Sequence, residues 1–93
     1  MNPVIVIELS DNTKLDLVVA ELVSGFGYYQ KWESNGAVTT LPFNCVWRQN
    51  ATLGTALGDL EQSVEAVNTR HSLSIRLGNC VAFCNTPWQA NKP

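Results

Sequence analysis

The sequence predicts an α+β fold in which an antiparallel sheet of four to five short strands carries two helices on one face. Three observations lead to this class. Apolar residues recur at helical spacing in two segments, they alternate with polar residues in several shorter segments, and turn-forming residues separate these segments from one another. The resulting order of strand, helix, hairpin, helix and hairpin also fits a ferredoxin-like βαββαβ arrangement.

The length and composition predict one folded unit. The chain has 93 residues, of which 45% are hydrophobic and 15% are charged. A chain of this length buries enough surface for one hydrophobic core and too little for two. Its low charged fraction is unlike the composition of disordered chains. We therefore expect a single α+β domain over residues 1–84 and an irregular C-terminal tail over residues 85–93.

The first two predicted elements are a strand and a helix. Segment 3–9 is rich in β-branched residues and too short for an independent helix, which is typical of a buried strand. The next apolar residues recur at helical spacing and predict a helix that ends at Gly25 or Gly27: Leu15, Val18, Val19, Leu22 and Phe26. Segment 14–19 also alternates, so a strand paired with the first one is the alternative. We favour the helix because its apolar stripe persists beyond the point where the alternation ends.

The dipeptide Asn35-Gly36 predicts a β-hairpin, because these residues tolerate the positive φ angles of a type I′ turn. Segment 28–34 should then pair with the chain from Ala37 onward. This turn sets the cross-strand register as Trp32 with Thr39, Gln30 with Leu41 and Tyr28 with Phe43. In this register Tyr29 points to the face of the hairpin opposite to that of Tyr28 and Trp32.

Alternation continues beyond the hairpin, from Leu41 to Trp47, where every second residue is large and apolar. We expect one strand whose apolar face, including Phe43, meets the core. Pro42 has no N–H to donate, so this strand should not be fully central in a sheet.

A second helix and a second hairpin complete the predicted fold. Five apolar residues at helical spacing mark the helix: Leu53, Leu57, Leu60, Val64 and Val67. Arg70 follows them, where the helix dipole favours a cation. Segments 73–77 and 80–84 then flank Gly78-Asn79, which is typical of a type II′ hairpin turn.

The charge pattern argues against nucleic acids and anionic membranes as partners. The formal net charge is −2, and the six cations are scattered along the chain as Lys14, Lys31, Arg48, Arg70, Arg76 and Lys92. Nonspecific binding to nucleic acids depends on Lys and Arg that neutralise phosphates, and no run of them is present.

Further observations bear on location. The longest apolar stretches are far shorter than the roughly 20 residues that span a bilayer, so we expect no membrane association. The N-terminus lacks the basic and apolar regions of a secretory signal. An odd number of cysteines also argues against a disulfide framework. We expect a cytoplasmic protein with reduced cysteines.

Side chains that could carry catalysis or hold a metal ion are few. Cys45, Cys80 and Cys84 fall on predicted apolar faces, where burial makes a thiol inert. His71 is the single histidine, and two cysteines four positions apart on a strand lie too far from each other to share one zinc ion. We therefore predict no catalytic residue, no metal ligand and no cofactor.

Aromatic residues are concentrated around the first hairpin. Six of the eight lie within residues 26–47, and Trp88 lies in the Pro-flanked tail. One interpretation is that the core gathers its bulk there, and the other is an interaction surface, because Trp and Tyr carry much of the binding energy of protein interfaces. The candidate partner-binding residues are Tyr29, Trp32, Trp47 and Trp88.

These observations favour a small acidic, non-enzymatic module that binds another protein. Adaptors, inhibitors and small phage or mobile-element proteins that act on host machinery are often chains of this size. The alternative is a ferredoxin-like homodimer that binds a small apolar ligand or substrate. In this alternative the sheet and helices enclose the ligand, so a monomer without a cavity would exclude it.

Overall fold

The computed structural model describes residues 2–34 and 36–84. These residues form two α-helices and five β-strands, which confirms the α+β class. In chain order the elements are β1 (Pro3–Val6), a short 3₁₀ helix (Asn12–Lys14), α1 (Leu15–Phe26), β2 (Lys31–Ser34), β3 (Ala37–Thr40), β4 (Cys45–Trp47), α2 (Leu53–His71) and β5 (Val81–Cys84).

The five strands are divided between two antiparallel sheets, whereas the sequence predicted one. A three-stranded sheet has the order β4-β1-β5, and β2 and β3 form a two-stranded hairpin. The first strand is therefore central, between β4 and the last described strand. The ferredoxin-like variant of the class stays a prediction.

Segment 15–26 is the favoured helix and not the alternative strand. The 3₁₀ turn that precedes it begins at Asp11, whose carboxylate accepts a hydrogen bond of 3.0 Å from the N–H of Thr13. Gly27 ends the helix with a φ of 77°, a left-handed conformation that costs glycine little. The side chains on one stripe are buried: Leu15, Val18, Val19 and Leu22.

The second predicted helix is also confirmed. Thr52 caps it, since its hydroxyl oxygen accepts a hydrogen bond of 3.1 Å from the N–H of Thr55. Ser72 ends the helix in a left-handed conformation with a φ of 55°. Its buried side chains are Ala56, Asp59, Leu60, Ser63, Val64 and Val67.

The main core lies between the three-stranded sheet and the two helices. Ile5, Ile7 and Val46 project from the sheet into this core, where they join the buried stripes of α1 and α2. A second, smaller core lies on the opposite face of the sheet, where Val4 and Trp47 pack with Leu41 from the segment that follows β3. Both faces of β1 are therefore buried at least in part.

The predicted strand from Leu41 to Trp47 is wrong in its first half. Pro42 and Phe43 lie in loop and turn conformations, and the C=O of Pro42 accepts a hydrogen bond of 2.9 Å from the N–H of Cys45. This turn ends the hairpin after β3, so β4 starts anew and pairs with β1. Phe43, expected in the core opposite Tyr28, is 74% exposed.

The predicted C-terminal hairpin is also wrong. The side-chain amide of Asn68 forms hydrogen bonds with both backbone groups of Ile75. It accepts from the N–H at 2.8 Å and donates to the C=O at 2.9 Å. Segment 73–77 therefore makes no strand, although Leu77 forms an isolated bridge with Leu9. The strand that was to be its partner, β5, pairs with β1 instead.

Candidate functional site

Cross-strand pairing brings three aromatic side chains and Val4 into one row on the sheet face that lies away from the helices. Tyr29 pairs with Trp47, Trp47 pairs with Val4, and Val4 pairs with Phe83. Residues that lie directly opposite each other in a sheet project to the same face. The register therefore places Tyr29 and Phe83 at the two ends of a row whose middle is Trp47 and Val4.

Three of the four predicted partner-binding residues meet at one end of this row. The ring centroids of Tyr29 and Trp47 are 5.1 Å apart, and those of Trp32 and Trp47 are 4.9 Å apart in a T-shaped arrangement. These spacings are within the range of favourable aromatic pairs. We call Tyr29, Trp32 and Trp47 the aromatic cluster.

The members of the aromatic cluster differ in their exposure. Trp47 is only 9% exposed, and its indole N–H donates a hydrogen bond of 2.8 Å to the C=O of Lys31. Trp32 is partly buried against Trp47, while Tyr29 is 49% exposed. The rings of Tyr29 and Trp32 therefore both pack against the buried ring of Trp47. Tyr29 is the most exposed residue of the three.

Tyr29 and Trp32 contact the same ring because the chain bends between them. A straight hairpin strand places these residues on opposite faces, since they are an odd number of positions apart. Here Tyr29 exchanges backbone hydrogen bonds of 2.8 and 3.0 Å with Trp47, and Gln30 lies in a bend before β2 begins. The bend turns Trp32 back over Trp47, an arrangement that the alternation of the sequence does not encode.

A second row of apolar side chains runs beside the first on the same sheet face. Val6 pairs with Cys45 on one side and with Val81 on the other. Val81 is 57% exposed, and its strand neighbour on this face, Phe83, is 38% exposed. The hairpin of β2 and β3 covers the part of this face around Trp47 and Val4. Within the described residues the part near β5 is uncovered, and its apolar side chains are exposed.

Another exposed apolar feature lies on the helix side of the molecule. Phe43 and Val23 line an open groove of about 300 Å³ together with Val19, Ala20, Gln30 and Asp16. Sequence reasoning missed this groove because the alternation of segment 41–47 assigned Phe43 to the core. The exposed Phe43 follows from the turn that Pro42 begins.

A buried polar cluster lies between α2 and the segment that joins α1 to β2. The hydroxyl of Tyr28 and Nη1 of Arg48 both donate to Oδ2 of Asp59, at 2.9 and 2.8 Å. Burial, together with the hydrogen bond to Asp59, raises the pKa of Tyr28 well above its usual range. The tyrosine is therefore a neutral donor at physiological pH, and the cluster ties the segment between α1 and β2 to α2.

The three cysteines all lie within the described part of the chain. Cys45, Cys80 and Cys84 are not joined by disulfides. Burial raises the pKa of the Cys45 thiol, which lowers its thiolate fraction at neutral pH. Within residues 2–34 and 36–84, no group of His, Cys, Asp and Glu side chains is arranged to hold a metal ion. Neither of the helices described here has the length and hydropathy to cross a membrane.

The sequence identified the aromatic cluster but not the whole surface. Trp88, the fourth candidate residue, and the predicted tail over 85–93 lie outside the described residues. Val81 and Phe83 were missed as surface residues because segment 80–84 was assigned to a second hairpin. The alternation of this segment was a correct signal for a strand, but it did not reveal which strand was the partner.

Comparisons with known proteins add no family to this description. No family model, no curated protein and no solved structure matches the chain. Function is therefore inferred from the geometry of the exposed aromatic and apolar side chains.

Proposed function

We propose that the chain is a small non-enzymatic module that binds another protein through its aromatic cluster. The observation that supports this most strongly is the position of Tyr29, which is 49% exposed although its ring packs 5.1 Å from that of the buried Trp47. Tyr and Trp are enriched among the residues that dominate binding energy at protein interfaces.

The packing of the cluster suits it to binding. Trp47 is fixed by its indole hydrogen bond to Lys31 and contacts both Tyr29 and Trp32. Rings that are held in place before binding lose less conformational freedom on binding than mobile side chains do. The same contacts fix the orientation in which Tyr29 meets a partner.

The partner that this surface fits is a protein with an apolar contact patch. Beyond the buried Val4, the same sheet face carries the more exposed Val81 and Phe83, and no charged side chain belongs to either cross-strand row. A central apolar area with a polar surround is the usual anatomy of a protein interface. A highly charged ligand such as a nucleic acid would find no matching groups in these rows.

The small size of the chain and its three cysteines bear on its role and on its location in the cell. We infer an adaptor or inhibitor that acts in a reducing cytoplasm, a role that small phage and mobile-element proteins often have toward host machinery. The odd number of cysteines, three, supports a reducing compartment, because disulfide pairing would leave one thiol unpaired.

Affinity capture with matched variants tests the proposal. The full tagged chain and its Tyr29→Ala and Val38→Ala variants are exposed to a lysate of the native host, and the captured proteins are identified by mass spectrometry. Val38 is a suitable control, because it is 50% exposed and lies on the face of the hairpin opposite to that of Trp32. We expect a protein that the native chain and Val38→Ala capture and that Tyr29→Ala does not. Equal capture by all three chains contradicts a role for the cluster, and the absence of any capture favours the ligand-binding homodimer.

A further inference from the structure

We propose that the chain forms a homodimer by antiparallel pairing of β5 with β5 of a second copy, about a two-fold axis at Ala82. The pairing would join two three-stranded sheets into one continuous sheet. The pairing would use Phe83, at one end of the sheet face described above, whereas the aromatic cluster that carries the proposed function lies at the other end, so each proposal can be tested without the other.

The outer side of β5 has backbone groups available for such pairing. The C=O of Pro3 accepts from the N–H of Arg48, and the N–H of Ile7 donates to the C=O of Asn44, so these β1 residues bond toward β4. Hydrogen bonding alternates along an antiparallel strand, so the intervening β1 residues, Val4 and Val6, bond toward β5.

In β5, Ala82 lies between Val81 and Phe83, the two residues that bond to β1. Val4 and Val6 bond to Phe83 and Val81, so the N–H and C=O of Ala82 point away from the sheet. No strand in the described part of the chain pairs with this side of β5. An unpaired edge of this kind is a template for another strand.

The sequence of β5 carries none of the side chains that usually protect an exposed edge. Natural edge strands often carry Lys, other charges or Pro, which disfavour pairing with a second chain. No charged residue occurs between Arg76 and Lys92, and β5 itself contains no proline. At a two-fold axis a charged residue would lie close to its own copy, so an uncharged strand is compatible with self-pairing.

The side chains of β5 are complementary to themselves in this register. With Ala82 opposite Ala82, Val81 of each copy lies opposite Phe83 of the other, on the sheet face where these residues are 57% and 38% exposed. The dimer would therefore cover two exposed apolar side chains per copy with aromatic to β-branched pairs. This twofold match is what favours a second copy over an unrelated strand.

The register also brings two native thiols together. Cys80, which directly precedes β5, lies opposite Cys84 of the second copy, as a hydrogen-bonded pair with Cα atoms about 5.5 Å apart. This separation is within the range that a disulfide spans. Diamide can therefore report the register, since it takes up the two electrons and two protons that the two thiols release when the S–S bond forms.

Sedimentation velocity tests the dimer with variants that give opposite charges to paired positions. The native chain should shift from monomer to dimer mass between about 5 and 500 µM, because a short strand pair gives a modest affinity. Val81→Lys and Phe83→Glu should each weaken association by about tenfold or more. An equimolar mixture of the two should form a heterodimer, because the introduced lysine of one copy then faces the introduced glutamate of the other across the interface. Val38→Lys is the control that should leave the mass unchanged.

Several results would overturn the proposal. These are a native chain that stays monomeric over the whole range, a dimer that both charged variants retain, or a mixture of the variants that does not associate. Circular dichroism checks that each variant is folded. The diamide experiment needs no variant, and peptide mapping should find Cys80 linked to Cys84 between copies; a link elsewhere or none contradicts this register. Tyr29→Ala should leave the dimer intact, which separates this test from that of the proposed function.

Discussion

The hydroxyl of Tyr28 donates a hydrogen bond of 2.9 Å to the carboxylate of Asp59, which lies 31 positions further along the chain. Nη1 of Arg48 donates to the same oxygen at 2.8 Å. The hydrogen bond of Tyr28 joins the segment between α1 and β2 to the buried face of α2. The aromatic cluster begins at the very next residue, Tyr29, so this buried bond also fixes where the proposed binding surface lies relative to the core.

We predict that Asp59→Ala destabilises the protein by about 1–3 kcal/mol. The substitution removes the acceptor of the Tyr28 hydroxyl inside the core and leaves Arg48 without its carboxylate. Urea unfolding measures the change. Glu61→Ala is the matched control, because Glu61 lies on the exposed side of the same helix and its loss should change the unfolding free energy by about 0.5 kcal/mol or less. An equal and small effect of both substitutions would show that the cluster is not stabilising.

The same tyrosine predicts a loss of stability in alkaline solution. Burial, with the hydrogen bond to Asp59, raises the pKa of Tyr28 in the folded protein, so folding favours the protonated phenol. Its contribution is complete below the unfolded pKa of about 10, and it is lost as the pH rises from there through the folded pKa. In that window Tyr28 lowers the unfolding free energy by about 1.4 kcal/mol per pH unit.

Denaturant unfolding of the native chain and of Tyr28→Phe, between about pH 8 and pH 11, isolates this contribution. Other groups titrate alike in both chains, so their effects cancel in the difference. The stability advantage of the native chain over Tyr28→Phe should shrink above about pH 10. A difference that stays constant with pH would mean that the phenol is not protected from ionisation.

We predict that Asn68→Ala loosens the segment after α2. The side-chain amide of Asn68 makes two hydrogen bonds with the backbone of Ile75. Their loss should lower the free energy of unfolding by about 1–3 kcal/mol. Hydrogen exchange should also show faster exchange at the Ile75 amide. Thr69→Ala, at the next and exposed position of the helix, is the control for helix propensity. Unchanged exchange at Ile75 would contradict the role given to Asn68.

The sequence was sufficient to predict the elements whose signal is local. The helices follow from apolar spacing and end where Gly27 and Ser72 adopt left-handed conformations. The register of the first hairpin is confirmed between β2 and β3, with Trp32 opposite Thr39, whereas the predicted pair of Tyr28 and Phe43 does not form. The turn that sets this register includes residue 35, which lies outside the described residues, while Gly36 has the positive φ of 78° that such a turn requires.

The sequence was insufficient where a distant group decides the structure. Segment 73–77 alternates like a strand, but the side chain of Asn68 occupies the backbone of Ile75. Likewise, β5 has the pattern of a strand, and only the fold shows that its partner is β1. The aromatic candidates were identified by composition, yet the bend at Gln30 that joins Tyr29 to Trp32 has no signature in the local sequence.

The most direct test of the central claim is the affinity of the captured protein for the native chain, compared with Tyr29→Ala, by calorimetry. We predict that Tyr29→Ala weakens binding by about tenfold or more while the urea midpoint stays close to that of the native chain, because the side chain contributes to the interface and little to the core. Unchanged affinity would contradict the proposal that the aromatic cluster binds a partner, and so would a large drop in the urea midpoint that accounts for the whole loss of binding.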